Sequence, residues 1–179
     1  DFSRNSYKLQ SVLGTSITRV LGTPEDHASS LGILKGGSSD PDALRVRANN
    51  REYFGQGVQS SLGLTLGRHE LELGTRFHQD EEDRFQWEDG FQMLDGSLRR
   101  TSAGEPGTQS NRVISATAVA AFLQDEITLG RWVILPGVRL ERIDFKRVEY
   151  AGDDPTRTSP TRTRANRIRA WIPGVGFSY

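Results

Sequence analysis

The chain has 179 residues, of which 35% are hydrophobic and 19 are glycine, and it contains no cysteine, which excludes a disulfide framework and a thiolate metal site. Its 23 basic and 23 acidic side chains balance, so no basic excess favours nucleic acid as a partner. No apolar run is long enough for a transmembrane helix. The sequence opens on Asp1 in mid-pattern, without an initiator methionine or a signal peptide, which indicates a fragment or a processed chain.

The first third of the chain predicts two strands separated by a long loop. Phe2 to Val12 alternates weakly and is compatible with a strand. Gly14 to Asp42 is rich in Gly, Ser, Thr and Pro and is predicted to be a loop, within which Leu31 to Leu34 packs locally. Leu44 to Leu66 is predicted to be one long strand with a bend near Gly55 and Gly57.

The clearest pattern is a β-hairpin centred on Gly67-Arg68. Gly at the first central position of a two-residue loop is what a type II′ turn requires. The turn pairs Leu66 with His69, and this register gives one apolar face and one polar, charged face. The apolar face carries Leu62, Leu64, Leu71 and Leu73, with Val58 opposite Phe77. The return strand is predicted to run from His69 to about Phe91.

The same construction recurs at Gly130-Arg131. The strands predicted on either side are Val113 to Leu129 and Trp132 to Tyr150. The register places Ile127 opposite Ile134, Leu123 opposite Val138, Ala121 opposite Leu140 and Phe122 opposite Arg139. This copy is less regular, because Asp125 falls on the apolar face opposite Pro136. Two long polar loops, Leu94 to Asn111 and Ala151 to Arg164, frame it, and a last strand, Ala165 to Tyr179, is interrupted at Pro173-Gly174.

The lengths of the connections indicate the fold class. The two short turns lie at one end of the sheet and the three long loops at the other, as in outer-membrane barrels. We therefore predict an all-β, antiparallel up-and-down meander of about six strands, part of a larger transmembrane β-barrel with long extracellular loops. The rise from Leu66 to Phe54 is about 28 Å on a strand tilted ~45°, close to the ~25 Å apolar band of such barrels. Phe54 and Tyr53 would mark the outer aromatic girdle and Trp132 the periplasmic one.

Residues Ala121 to Phe145 resemble a known family. The segment reads Gln124-Asp125-Glu126-Ile127, the Gly130-Arg131 turn, and then Pro136-Gly137-Val138-Arg139-Leu140-Glu141. It is similar to the mid-barrel strands of TonB-dependent outer-membrane receptors, and Ile172 to Gly176 resembles their next descending strand. Asn49 to Gln59 and Arg76 to Phe91 resemble the ferric-dicitrate-type branch. Residues 1–179 are thus expected to be a partial barrel domain without the plug domain or the remaining strands.

The resemblance implies a location, a ligand and partners. The protein is expected in the outer membrane of a Gram-negative cell, in contact with outer-membrane lipid. A ferric chelate or siderophore, ferric-citrate-like in the suggested branch, would bind to outer loops and plug. A TonB-type energy-transducing protein would act through the absent plug, and the ligand would pass through the lumen.

An anionic chelate makes arginines the candidate binding residues, because a guanidinium offers a bidentate fork to carboxylates. The candidates on predicted outer loops are Arg99, Arg100, Arg157, Arg162 and Arg164. Arg76, His78 and Arg139 are the candidates that point into the predicted lumen. Two alternatives stay open: the loop arginines are simply solvated, and the lumen arginines pair with Glu72, Glu141 or carboxylates of the plug.

Other chemistries have weaker support. Asp80-Glu81-Glu82-Asp83 offers hard oxygen ligands but lacks the spacing of a calcium loop. His78 and Asp80 share a face, yet no nucleophile elbow accompanies them. We therefore predict no catalytic residues, no metal site and no cofactor, and a protein that is not an enzyme. The alternatives to the receptor are a soluble or secreted β-sandwich used for binding and a passive outer-membrane porin.

Overall fold

The computed structural model describes residues 2–179 as one antiparallel sheet of ten strands, with two short helices and a 3₁₀ turn at one end. The strands are β1 Phe2–Arg4, β2 Tyr7–Val12, β3 Thr15–Ser16, β4 Leu44–Ala48, β5 Arg51–Leu66, β6 His69–Leu94, β7 Ser97–Ser102, β8 Ser110–Leu129, β9 Trp132–Tyr150 and β10 Pro160–Ser178. The helices are α1 Ile17–Gly22 and α2 Ala28–Leu34, with the 3₁₀ turn Pro24–His27 between them. No helix in residues 2–179 is both long and apolar enough to cross a membrane.

The sheet is the predicted up-and-down meander, curled into part of a barrel. Its main path runs β10-β9-β8-β6, after which β6 pairs with β5 along its lower part and with β4 along its upper part. All six predicted strands are present. Two of them are split by short breaks, and β3 and β7 were not predicted.

The single strand predicted from Leu44 to Leu66 is wrong, because the chain breaks at Asn49-Asn50 rather than bending near Gly55. The Asn49 side chain donates to Ser6 Oγ at 3.2 Å and accepts from Arg51 Nε at 3.0 Å. It also accepts a hydrogen bond from Gln86. Asparagine side chains offer hydrogen bonds that compete with those of the β-ladder, which accounts for the break. The register with β6 is the same on both sides of it.

Both predicted hairpins are confirmed in their register. Leu66 pairs with His69 across the first turn, and Ile127 pairs with Ile134 across the second. The turn glycines Gly67 and Gly130 have φ of 65° and 67°, as the first central position of a type II′ turn requires. The register fixes which side chains share a face over the full length of these strands.

The irregularity expected at Asp125 is also present. The β8–β9 ladder is interrupted between Gln124 and Ile127, opposite Pro136, which has no N–H to donate. Asp125 Oδ2 lies 2.7 Å from His69 Nδ1 on the neighbouring strand. The polar pair thus lies close to the tight turns, at the edge of the apolar face.

The long loop predicted from Gly14 to Asp42 is wrong, because this segment contains α1 and α2. The Ser16 hydroxyl caps α1 by accepting from Arg19 N at 3.3 Å. The helices bury a small core against the upper sheet, composed of Val12, Val20, Ile33 and Leu44. The local packing expected at Leu31 to Leu34 occurs within α2. The helices are only six and seven residues long, and the Gly, Ser, Thr and Pro residues around them are typical of a loop.

Two further boundaries differ from the predictions. The loop predicted from Leu94 to Asn111 contains β7, which folds back on β6 through Asp95-Gly96, whose φ values of 49° and 71° suit a type I′ turn. The last strand is continuous from Pro160 and is not interrupted at Pro173-Gly174. Pro173 keeps its position opposite Val138, because a strand paired on one side only tolerates a missing N–H.

The apolar face of the first hairpin is exposed, and no second layer within residues 2–179 covers it. Leu62, Leu64 and Leu73 are 53%, 42% and 39% exposed. We call this side of the sheet the outward face. A soluble sandwich would bury these side chains, whereas a barrel in lipid requires them at its surface.

The opposite, inner face is less uniformly polar than predicted. It is polar along β5 and β6, but β8, β9 and β10 also present apolar side chains there: Phe122, Ile143, Phe145, Ile168 and Ile172. Tyr53 lies on the inner face beside Arg51, so of the two residues predicted for the outer girdle only Phe54 faces outward. Trp132, predicted for the periplasmic girdle, packs on Tyr179 with ring centroids 4.7 Å apart.

We expect Leu73→Arg to lower the free energy of unfolding in a bilayer by about 2 kcal/mol, because it places a cation on the lipid-facing surface. The neighbouring inner-face substitution Glu72→Arg should have little effect. Denaturant titration of the full-length protein in phospholipid vesicles measures both values. Equal destabilisation by the two variants would contradict the assignment of the faces.

Candidate functional site

Four arginines lie side by side across adjacent strands on the inner face. Arg4 pairs with Arg51, Arg51 with Arg84, and Arg84 with Arg112. We call this set the arginine row. Like charges directly opposite one another destabilise a sheet unless anions neutralise them, so the row is a site that favours negative charge.

The protein itself neutralises the row only in part. Glu82 Oε1 is shared by Arg51 at 3.1 Å and Arg84 at 2.9 Å. Arg112 has no ion pair within residues 2–179, and its buried Nε has no hydrogen-bond partner there. The row therefore carries more positive charge than its own carboxylates offset.

Three members of the arginine row, Arg51, Arg84 and Arg112, border a cavity of about 500 Å³. The other residues around this cavity are Ser6, Lys8, Gln10, Arg47, Asn49, Gln86, Gln109 and Ser110. Arg47 is held by Glu88, with its Nη2 2.7 Å from Oε1. A volume of this size is in the range of small-molecule sites, and nearly every side chain around it carries a donor.

The arginine row lies above the height of the apolar band of an outer-membrane barrel. Arg51 is about 35 Å above Leu66 at roughly 2.3 Å per residue, whereas the apolar band of an outer-membrane barrel is only ~25 Å tall. The cavity therefore lies on the inner wall near the end that carries the long loops.

Three of the predicted site residues, Arg76, His78 and Arg139, lie lower on the inner face. Arg139 Nε is 2.6 Å from Glu141 Oε1, so the alternative of a neighbouring carboxylate partner is realised for Arg139. His78 Nε2 lies 3.1 Å from Asp80. Arg76 is exposed and forms no ion pair within residues 2–179. These side chains form a lower tier, separate from the arginine row.

Arg162 and Arg164 lie at the upper end of β10, not on a loop. In the strand register, Arg162 lies opposite Glu149, and Glu149 lies opposite Arg112 of the row. Arg164 lies opposite Arg147. Both side chains are exposed. The structure thus brings these two predicted residues next to the arginine row.

The remaining candidates, Arg99, Arg100 and Arg157, lie outside the cavity. Arg99 and Arg100 are on β7, and Arg100 is 3.8 Å from Asp89. Arg157 makes a bidentate contact with Asp83 at 2.5 and 2.6 Å and donates to Asn111 Oδ1 at 2.7 Å. Its guanidinium also lies 5.0 Å from the Phe85 ring centre, and the bond to Asp83 raises the pKa of Arg157. Arg157 therefore ties the 151–159 loop to the sheet.

The arginine row was not among the predicted site residues. The hairpin register at Gly67 already implied the Arg51–Arg84 pair, and this signal was available in the sequence. The Arg84–Arg112 pair depends on how β6 meets β8, and no tight turn fixes that register. Within residues 2–179 no group of three or more His, Asp or Glu side chains is arranged to hold a metal.

Comparison with known proteins gives one family. The model for the TonB dependent receptor-like β-barrel matches residues 4–179, nearly the whole chain. No curated protein matches the sequence.

Acid is expected to loosen the 151–159 loop. Backbone N–H groups of Ser159 and Thr158 donate to the Asp154 carboxylate, which holds its pKa below the ordinary value of 3.8. Because the pKa of Asp154 is lower in the folded loop than in the unfolded chain, the charged carboxylate stabilises the loop at neutral pH. This stabilisation is lost as the pH falls through the pKa of the folded state and the carboxylate is protonated. Hydrogen exchange of the loop from neutral pH to about pH 3 measures the loss, after correction for intrinsic exchange rates. Asp154→Asn should remove this pH dependence, and an unchanged profile would contradict the assignment.

Arg157→Lys is expected to release the same loop at neutral pH, since lysine lacks the planar fork that meets Asp83. Loss of a charged, bidentate contact should speed hydrogen exchange in residues 151–159 by about tenfold or more. Arg131→Lys, in the turn at the other end of the sheet, is the matched control. Unaltered exchange in the Arg157 variant would show that the contact does not hold the loop.

Proposed function

Because the chain belongs to the TonB-dependent receptor-like β-barrel family, we propose that it forms part of a receptor wall that binds an acidic ferric chelate of the ferric-citrate type. The family places the protein in the Gram-negative outer membrane, and its members are receptors that transport ligands rather than enzymes. The substrate class is the part that we propose.

The observation that carries the proposal is the incompletely neutralised arginine row. Arg51, Arg84 and Arg112 present guanidinium groups to one cavity. Arg112 forms no ion pair within residues 2–179, because Glu149, which lies opposite it on β9, is bonded to Arg147. A ferric citrate complex carries several carboxylates, which guanidinium groups bind in bidentate fashion. An anionic chelate would offset the repulsion within the row, whereas a cationic one would add to it.

The position of the row suits the first contact with ligand at the outer end of the lumen. Arg162 and Arg164 extend the positive surface along the same face. The lower tier of Arg76, His78 and Arg139 would meet the ligand later, on its way through the lumen. Arg99 and Arg100, on the outer hairpin, would steer anions towards the mouth by long-range attraction.

The proposed mechanism also requires parts beyond these residues. We propose that residues 1–179 are part of one barrel domain and that a plug domain packs against the inner face. The apolar side chains there, including Phe122 and Ile143, would bury against that plug. A TonB-type energy-transducing protein would act on the plug to release the bound chelate into the lumen.

The two alternatives explain less. A soluble β-sandwich is incompatible with the exposed leucines of a single-layered sheet and with the family match. A passive porin would discriminate by size and would not need a specific, high-affinity site. Tight binding of one chelate class therefore separates a receptor from a porin.

Arg112→Gln is expected to weaken ferric citrate binding about 10- to 100-fold, the loss of one charge-assisted contact. Arg112→Lys should have a smaller effect, because it keeps the charge and loses the fork. Tryptophan fluorescence titration of the purified full-length receptor measures Kd, and Arg131→Gln serves as the control with one charge removed far from the cavity.

A carboxylate-free ferric hydroxamate is the comparison ligand. The proposal predicts that it binds weakly and that Arg112→Gln does not alter its Kd. Equal affinity of the unmodified receptor for both chelates would contradict the proposed substrate class. Normal ferric citrate binding by Arg112→Gln would contradict the role of the arginine row.

A further inference from the structure

A pair of directly opposed arginines also lies on the outward face, on the other side of the sheet from the proposed ligand site. Arg142 of β9 pairs with Arg169 of β10. Lys146 and Arg167 share that face, and we call these four cations the outward patch. Asp144 is the sole carboxylate at the outward positions of β9 and β10.

The outward patch has an excess of positive charge. Arg142 Nε lies 2.9 Å from Asp144 Oδ2, and Arg167 bonds the other oxygen of the same carboxylate. Lys146 and Arg169 have no ion pair within residues 2–179, and both side chains are exposed. One carboxylate therefore serves four cations, and the Arg142–Arg169 pair favours the binding of an external anion.

An apolar groove of about 550 Å³ lies directly beneath the outward patch. Val119, Ala121, Leu140 and Trp171 are its outward apolar residues, and Arg142, Asp144 and Arg169 border its charged end. Trp171 is 76% exposed. The groove is thus apolar at one end and cationic at the other, which matches a molecule with an acyl chain and an anionic headgroup.

The height of the outward patch identifies the leaflet. Arg142 is about 23 Å above Trp132 at roughly 2.3 Å per residue, close to the upper edge of the ~25 Å apolar band. Cations at this level meet lipid headgroups, while the groove below them meets acyl chains.

We infer that the outward patch and its groove bind a phosphate-bearing acyl lipid of the outer leaflet, with its phosphate between Arg142 and Arg169 and an acyl chain along Leu140 and Trp171. The inference rests on the membrane placement in the proposed function, but it does not depend on the chelate. The lipid neutralises the arginine pair from outside the barrel, as the proposed chelate neutralises the arginine row from inside.

The test uses the full-length receptor in detergent and diphosphorylated lipid A as the probe, with native mass spectrometry measuring the bound fraction. R142Q/R169Q should weaken lipid A binding by about tenfold or more, since each cation contributes to attraction by an anionic headgroup. R68Q/R131Q, which removes two arginines at the other end of the barrel, is the matched control. Dephosphorylated lipid A should bind the unmodified receptor as weakly as the double variant binds lipid A.

Trp171→Ala separates lipid binding from simple anion binding. This variant should bind lipid A more weakly, because it loses contact with the acyl chain, and the ability of inorganic phosphate to compete with lipid A should not change. Phosphate that displaces lipid A at equal concentration would overturn the inference in favour of a free-anion site. Equal lipid binding by R142Q/R169Q and R68Q/R131Q would also overturn it.

One further measurement and one further variant separate failure of the lipid inference from failure of the proposed function and from misfolding. Ferric citrate binding by R142Q/R169Q should be unchanged, so failure of the lipid inference is distinguishable from failure of the proposed function. If the double variant does not fold, R169Q alone provides the test, because Arg169 has no ion pair within residues 2–179. Retained lipid A affinity in folded R169Q would then contradict the inference.

Discussion

The alternation of side chains along β5 and β6 is the constraint on which the rest of the structure depends. Successive residues of a strand face opposite sides, so the glycine turn at Gly67 determines the partners of Leu62 and Glu72 at once. A slip of one residue would put carboxylates into lipid. The apolar positions of the outward face continue upward to Leu44, which is buried against Val20 and Ile33 of the helices. One pattern thus serves two surroundings, an apolar bilayer below and a small helical core above.

The same register also places like charges together on both faces. Arg84 stands between Arg51 and Arg112 on the inner side, and Arg142 stands opposite Arg169 on the outward side. Neither arrangement is favourable in the protein alone. Each becomes favourable with an anion, and because the two lie on opposite sides of a wall, the anions have different origins. A solute that enters the lumen can reach the first set, whereas membrane lipid can reach the second.

The sequence supports the hairpins better than the parts of the fold that depend on distant contacts. The glycines at positions 67 and 130 and the alternating leucines predict strand partners correctly, since both signals are local. The helices near Val20 were missed because their stability comes from burial against Leu44, not from local propensity. The break at Asn49 depends on bonds to Ser6 and Gln86. Predicting the arginine row would have required the β6–β8 register, which no local signal gives. Arg157 was predicted to bind ligand, but its guanidinium is already bonded to Asp83, which is distant in sequence.

Site-directed spin labelling can show which side chains of β6 face lipid, because the chain has no cysteine of its own. Single substitutions to cysteine at each residue from Glu70 to Phe77 would carry the label in the full-length protein in lipid bilayers. Accessibility to oxygen, which concentrates in lipid, is expected to alternate strictly and to peak at Leu71, Leu73 and Phe77. Accessibility to a water-soluble nickel chelate should peak at Glu70, Glu72 and Arg76. Accessibilities with no period of two, or with the two sets exchanged, would contradict the two-faced wall.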